Sequence, residues 1–367
     1  MLPFVIISVE LTYMRAQSHV IVHYVPVIKN FMKASISILC LSFVFFSCVS
    51  KTKEVVERET ASVQLIKQDL MTSMPGELLA FEDKLVWFDL NPDSFLHVED
   101  KLSGKTLIEG GKLGQGPEEF TAPYLSWFSN NKILVSDCFA DKACVLTLDS
   151  LKRICSLDIP TGKQAIQCVG HNQFIRMVIN DKHPFAYWDS DNWSGFGKYP
   201  IEKSVSNGYD VFQGIISFNP YNNCLVYSIP NFSYIALYKK EGDSFKEIWE
   251  KQLSDVEYDI VNDSILRVNG VKRPAPSAIA LTKDYIITIE RDSETKEVSI
   301  TETPEKGRAR RFTKAPQTLF VYDYNFNLMK ILHTKMPMFR LASTGNDNDV
   351  YFIGVKGEFC IGKCAIN

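Results

Sequence analysis

Clusters of strand-forming residues recur roughly every 40–60 residues from about Ser62 to the end of the chain, and that period restricts the fold more than any other feature. The runs KLVWFDL (Lys84–Leu90), KILVSD (Lys132–Asp137), CLVYSI (Cys224–Ile229), YIITIE (Tyr285–Glu290), LFVYDY (Leu319–Tyr324) and VYFIGV (Val350–Val355) are rich in β-branched and aromatic residues. Asn, Asp, Gly, Lys or Pro turns bound each of them. NNKILVSD…ACVLTLD, YNNCLVYSIP…SYIALYK and EDKLVWFDL…FLHVED share one form: a polar turn, an apolar strand, a polar break and a second strand. No long helix is apparent.

A four-stranded unit repeated radially suits this period, because each sheet buries its faces against its neighbours and leaves only short edges. The expectation is an all-β, six-bladed β-propeller of four-stranded antiparallel blades, cut near 78–120, 121–163, 164–210, 211–270, 271–334 and 335–367. The strand in Ser62–Asp69 is then free to complete the last blade and close the ring. Two stacked β-sandwiches are the rival, but no Pro-, Gly- or Ser-rich linker divides the chain. With 46% hydrophobic residues and a formal net charge of -3, the chain can fill a large core and is neither a polycation nor an acidic tail.

The front of the chain reads as an address. Ala34–Ser47 (ASISILCLSFVFFS) is apolar, follows Lys33 and stops at Cys48. It is shorter than the roughly 20 residues a spanning helix needs and matches a signal-peptide core. Ser47-Cys48 looks like a lipobox, with Cys48 the lipidated first residue of the mature chain, although Phe45-Phe46 depart from the common pattern. A plain secretory signal cut near Ser47 or Ser50 is the alternative. Residues 1–31 read as upstream sequence ahead of a start at Met32, or otherwise as a second hydrophobic anchor. The organisation is therefore 1–31 upstream, 32–47 signal peptide, 48–61 flexible tether and 62–367 propeller. The tether is polar and charged, too poor in apolar residues to offset its ordering entropy.

GKLGQGPEEF (Gly111–Phe120) and FGKYP (Phe196–Pro200) resemble motifs of the six-bladed, TolB-like propeller lipoproteins common in Bacteroidetes. QGIISFNPYNNCLVYS (Gln213–Ser228) and FVYDYNFNLMKILH (Phe320–His333) resemble later segments of the same family. The resemblance covers roughly Ser62 to Cys364. It implies a lipid-anchored envelope protein, mostly of unassigned activity among its members, and a module for an outer-membrane assembly. On their own physics, Gly114 and Gly116 allow positive φ and Pro117 fixes φ, giving a compact turn between blades that drops Phe120 into the interface. Glu118 and Glu119 are the alternative reading of that motif, as ligands at a channel mouth.

No H-E-x-x-H or G-x-S-x-G motif is present. His97, His171, His183 and His333 are scattered, unlike a zinc set. Cys360 and Cys364 on one strand would lie roughly 13 Å apart and cannot bond to each other. Cys138 and Cys144 flank a turn and are the candidate disulfide, as suits an exported chain. Asp137, Asp141 and Asp263 are the oxygen ligands a channel calcium ion could recruit, or else ordinary turn residues. No cofactor is otherwise expected, and no metal ligands are assigned. YWDSDNWSGFGKY presents Tyr187, Trp188, Trp193, Phe196 and Tyr199 for a sugar, a peptide or a protein partner, or for blade packing. The basic stretch Lys306–Lys314 suits anionic headgroups or a solvated hairpin loop.

The expected function is a ligand-binding or protein-interaction module without evident catalysis, with a metal-dependent hydrolase or lactonase as the alternative. Its partners are an envelope protein or a glycan or peptide ligand, and the membrane through the lipid; the export signal excludes nucleic acid. The residues after Cys48 lack an acidic surface-export run, which favours the periplasmic face.

Overall fold

The computed structural model describes residues 56–72, 74–178, 182–203, 205–262, 264–291, 296–300 and 310–366, with strands 296–300 and 310–314 through their backbone alone. Six four-stranded antiparallel blades follow one another in chain order. Blade 1 holds Leu78–Ala80, Lys84–Phe88, Leu96–Asp100 and Thr106–Gly110; blade 2 holds Pro123–Ser129, Lys132–Asp137, Lys142–Thr147 and Arg153–Ser156. Blade 3 is Ile166–Gly170, Gln173–Met177, Phe185–Trp188 and Trp193–Phe196; blade 4 is Ile215–Asn219, Cys224–Ile229, Tyr234–Glu241 and Ser244–Gln252. Blade 5 is Ala278–Leu281, Tyr285–Ile289, Thr318–Asp323 and Leu328–His333, and blade 6 begins with Met338–Ala342, Asp349–Lys356 and Glu358–Ala365.

The fourth strand of blade 6 comes from the front of the chain. Val63–Lys67 pairs antiparallel with Ile361–Cys364, so the ends of the domain meet in one sheet and the ring closes. Lys67 of this strand reaches across to blade 1, where its ammonium lies 2.8 Å from the fully buried carboxylate of Glu99. Gly104 of blade 1, at φ +68°, lies so close to the closing strand that a Cβ there would sit 2.0 Å from the Ile66 carbonyl oxygen. Three residues of the stretch read as a tether, Arg58–Thr60, also form a strand, in parallel with Ile331–His333 of blade 5. Their side chains are exposed, so backbone hydrogen bonds to an open sheet edge hold them there, which composition does not report.

Six apolar clusters each join one adjacent pair of blades. Alternate residues of a second strand enter opposite clusters: Val86 packs toward blade 2, while Leu85 and Trp87 pack toward blade 6. Phe352 faces blade 5, and its neighbours Tyr351 and Ile353 face blade 1. A strand buried on both faces has no polar position to spare, which is why these runs are continuously apolar. Phe120 fills the blade 1–2 cluster, edge-on to Phe95 at 5.7 Å.

Strand direction sorts the connections between the two ends of the ring. Where inner strands begin lie the long segments 111–122, 197–214, 253–277 and 290–317, which carry the helix Gly208–Phe212 and the hairpins Val256–Val261/Ile265–Val271 and Lys296–Ile300/Arg310–Ala315. At the opposite end every connection between blade strands is a short turn, of which 343–348 is the longest.

Candidate functional site

The six inner strands surround a central funnel of about 660 Å³. At the plain end Asn219, 1% exposed, ends the inner strand of blade 4 and ties three blades together. Its Nδ2 donates to Thr282 O of blade 5 at 3.0 Å and to Gly345 O of blade 6 at 2.9 Å, and its Oδ1 accepts from Tyr221 N at 2.9 Å. At the elaborated end no side chain ties three blades in this way among the described residues. The funnel there is lined by Glu77, Tyr124, Cys138, Lys163, Gln164 and Arg340, with Tyr209 and Gln213 from the short helix and its flank.

These groups sense one another. Burial raises the Glu77 carboxyl above the usual carboxylate range, against the pull of its own backbone N–H and of the Arg340 guanidinium. Burial also raises the Tyr124 hydroxyl, and the Glu77 and Cys138 charges add to it. The Cys138 thiol is pushed up to about 11, by burial first and then by Asp137 and Glu77. Arg340 is aimed by donating from Nε to Gly76 O at 2.9 Å and from a terminal nitrogen to Phe339 O at 3.1 Å. Gln167 also lines the funnel, and its Oε1 is buried with no hydrogen-bond partner among the described residues. Sequence reasoning named only Cys138 of this set, because the set assembles from the starts of different inner strands and no local pattern marks it. A smaller cavity of about 390 Å³ lies between the short helix and the 256–271 hairpin, lined by Asp210, Asn231, Asn269 and Pro274 among others.

The residues singled out by sequence go elsewhere. Glu119 braces the blade 1–2 turn, accepting from Gly116 N at 2.9 Å, and exposed Glu118 pairs with Arg153 at 3.2 Å. Lys142 closes the turn from below, donating to Pro117 O and Glu119 O at 2.8 and 2.6 Å. Positive φ falls on Gly111, at +78°, and not on Gly114 or Gly116. Gly114 is needed for space, since a Cβ there would lie 2.1 Å from the Glu119 carboxylate.

Cys138 and Cys144 are both free thiols. The ladder pairs Asp137 with Lys142 and Val135 with Cys144, which leaves the two cysteines three positions out of register, roughly 10 Å along the strand. Cys138 faces the funnel and Cys144 the blade 1–2 core. Cys360 and Cys364 are buried in the blade 5–6 core, also as free thiols.

The aromatic run is mostly mortar between blades 3 and 4. Tyr187 is 2% exposed and edge-on to Phe245 at 5.7 Å, and burial pushes its hydroxyl up to about 12. Phe196 stacks on Phe245 at 4.7 Å, and Tyr199 lies 5.0 Å from Phe212. Trp188 and Trp193 pack together at the blade edge at 5.4 Å, with the Arg176 guanidinium 4.3 Å over the Trp193 ring. None of these five aromatics lines the funnel.

Asp137 accepts from the backbone N–H groups of Thr121, Ala122, Phe139 and Ala140, and Asp141 accepts from Thr161 and Gly162. Both therefore hold turns; Asp263 lies outside the described residues. Among the described residues no group of three or more His, Cys, Asp or Glu side chains converges as a metal site. His97 is buried, stacked on Trp87 at 4.1 Å, with Nδ1 3.0 Å from Glu109 and Nε2 3.8 Å from Asp89. His171 is exposed, His183 bonds to Gly197 O at 2.9 Å, and His333 sits in the ladder of blade 5. Cys48, the signal segment and residues 306–309 lie outside the described residues.

Blades and funnel together define a six-bladed β-propeller. No family model matches the sequence, and no curated protein matches it. A solved member of the DUF4221 family from Bacteroides vulgatus is similar, with a TM-score of 0.55 and 10% identity over 85% of this chain and 98% of that one. Regucalcin from Agrobacterium tumefaciens, described as a calcium-binding protein, aligns at a TM-score of 0.47 and 10% identity, over 85% and 96% of the two chains. A streptogramin B lyase aligns at 0.44 and 14%, over 83% and 98%. At these identities the likeness is one of fold.

Proposed function

We propose that this chain is a lipid-anchored β-propeller of the cell envelope, held through Cys48 on the periplasmic face, that binds a ligand or partner through the elaborated end of its central funnel. The observation that carries the reading is the sorting of every long connection to the end where Glu77, Tyr124 and Arg340 open into the funnel, while at the other end the connections are short turns and Asn219 ties blades 4, 5 and 6 together. Preformed concave sites with a few convergent polar groups are the usual place for ligands, and loops carry function where a rigid scaffold presents them. The sequence resemblance to TolB-like lipoproteins and the lipobox-like Ser47-Cys48 support the address. The carboxylates expected to serve a channel metal, Asp137 and Asp141, are spent on turns, so binding is favoured over metal-dependent hydrolysis.

Two experiments test this. The intact mass and N-terminal peptide of the membrane-extracted protein should show a chain beginning at diacylglyceryl-modified Cys48; an unmodified Cys48 overturns the anchor. A photo-crosslinking residue at exposed Phe139, beside the funnel mouth, should give envelope adducts, while one at Leu102 on the plain end should not. Adducts from Leu102 alone overturn the choice of face.

A further inference from the structure

We infer that the funnel takes a neutral, hydroxyl-rich ligand: a short glycan segment made of uncharged sugars. This rests on the funnel as the binding site and names its ligand class. The lining carries few charges: Glu77 is the lone acidic side chain on it among the described residues, against Arg340 and, at the mouth, Lys163. Glu77 and Arg340 face the same space with opposite formal charge, so a strongly anionic or cationic ligand meets a repelling group as well as an attracting one.

What remains is a set of neutral groups that both donate and accept. Gln164, Gln167 and Gln213 present carboxamides, and Tyr124, Ser217 and Ser277 present hydroxyls. The Oε1 of Gln167 is buried with no partner among the described residues, so turning this carboxamide toward a ligand O–H in the funnel would relieve an unmet acceptor. The Glu77 carboxyl also suits a partner that can donate or accept. Vicinal sugar hydroxyls supply both roles at once. Trp127, Phe218 and Phe339, packed at the blade seams, line the same space and give it apolar surface for the C–H side of a sugar ring.

A peptide is the competing occupant, and the funnel suits it less. Adding a peptide strand needs a long free sheet edge. The inner strands run only from three residues, Leu78–Ala80, to seven, Pro123–Ser129, and six such edges converge on one axis. The volume of about 660 Å³ lies in the range that encloses a small ligand and not a folded partner.

The test is calorimetric titration of the full chain with three probe sets: neutral tri- and tetrasaccharides, uronate-containing oligosaccharides of the same length, and uncharged capped tripeptides. Binding confined to one or more neutral oligosaccharides is expected. Gln167→Ala and the milder Tyr124→Phe should each weaken it roughly fivefold to tenfold, with near-ultraviolet circular dichroism showing both variants folded. Leu102→Ala, on the plain end, should leave it unchanged. Preference for uronates or tripeptides, with the same loss in the funnel variants, overturns the ligand class and keeps the funnel. Saccharide binding indifferent to both funnel variants overturns the funnel itself, and with it this inference. No heat from any neutral saccharide at millimolar concentration overturns the glycan assignment.

Discussion

Replacing Asn219 by alanine should loosen the plain end of the ring more than its single side chain suggests. The side chain is 1% exposed and makes three neutral hydrogen bonds, two of them to backbone carbonyls of other blades. A neutral hydrogen bond contributes about 0.5–1.5 kcal/mol net, and a buried group left unpaired costs about 1–3 kcal/mol. Water entering the vacated space recovers part of this, so a loss of about 3 kcal/mol is expected, a large share of the roughly 5–15 kcal/mol of a typical domain. Urea unfolding followed by fluorescence and circular dichroism measures it, with the slope unchanged and the midpoint lowered. Asn219→Asp sharpens the test. It keeps the acceptor for Tyr221 N but points a carboxylate at two carbonyl oxygens. At neutral pH it should therefore be worse than alanine, and should recover as acid protonates it. A loss below about 1 kcal/mol in both variants, or an aspartate no worse than alanine, would refute the three-blade stitch as argued.

Ring closure depends on Lys67: Lys67→Ala strands the buried Glu99 carboxylate and should cost about 3 kcal/mol in the same assay. Gly104→Ala, which drives a Cβ against the Ile66 carbonyl, should expose residues 56–67 to limited proteolysis while the blades stay resistant. His97 gives a pH signature. Burial opposes its protonation, but the facing carboxylates of Asp89 and Glu109 outweigh burial and raise its pKa. Its stabilisation is thus complete below the unfolded value of about 6.5 and fades as pH rises through the higher folded value. His97→Gln should differ most from the parent near pH 5.5 and least near pH 9; a constant difference in unfolding free energy would sink the idea. Among the described cysteines, exposed Cys155 should alkylate first in the native protein, with Cys138 slow because its thiol titrates at about 11. After unfolding in excess alkylating agent without reductant, a Cys138–Cys144 linked peptide would contradict the register described above.

The chain's order of blades was legible in its sequence. The second strands of blades 1, 2, 4, 5 and 6 stand out as apolar runs because each is buried on both faces, and every blade's own strands fall within the expected cuts. Closure by Val63–Lys67 was legible too, since a fourth strand was missing at the end and one was spare at the front. Outer strands such as Arg153–Ser156 are mostly exposed, and the inner strand Leu78–Ala80 is three residues long, so neither leaves a clear period.

Tertiary structure alone decided the site. The aromatics from Tyr187 to Tyr199 carry the composition of a recognition loop, yet the blade 3–4 interface absorbs most of them. Glu77, Tyr124, Gln167 and Arg340 are unremarkable in sequence and far apart along it, and they meet because six inner strands begin around one axis. A local pattern encodes which strand forms and which faces it buries, because those depend on neighbours in sequence. Which side chains share a cavity depends on ring closure, which no local pattern records.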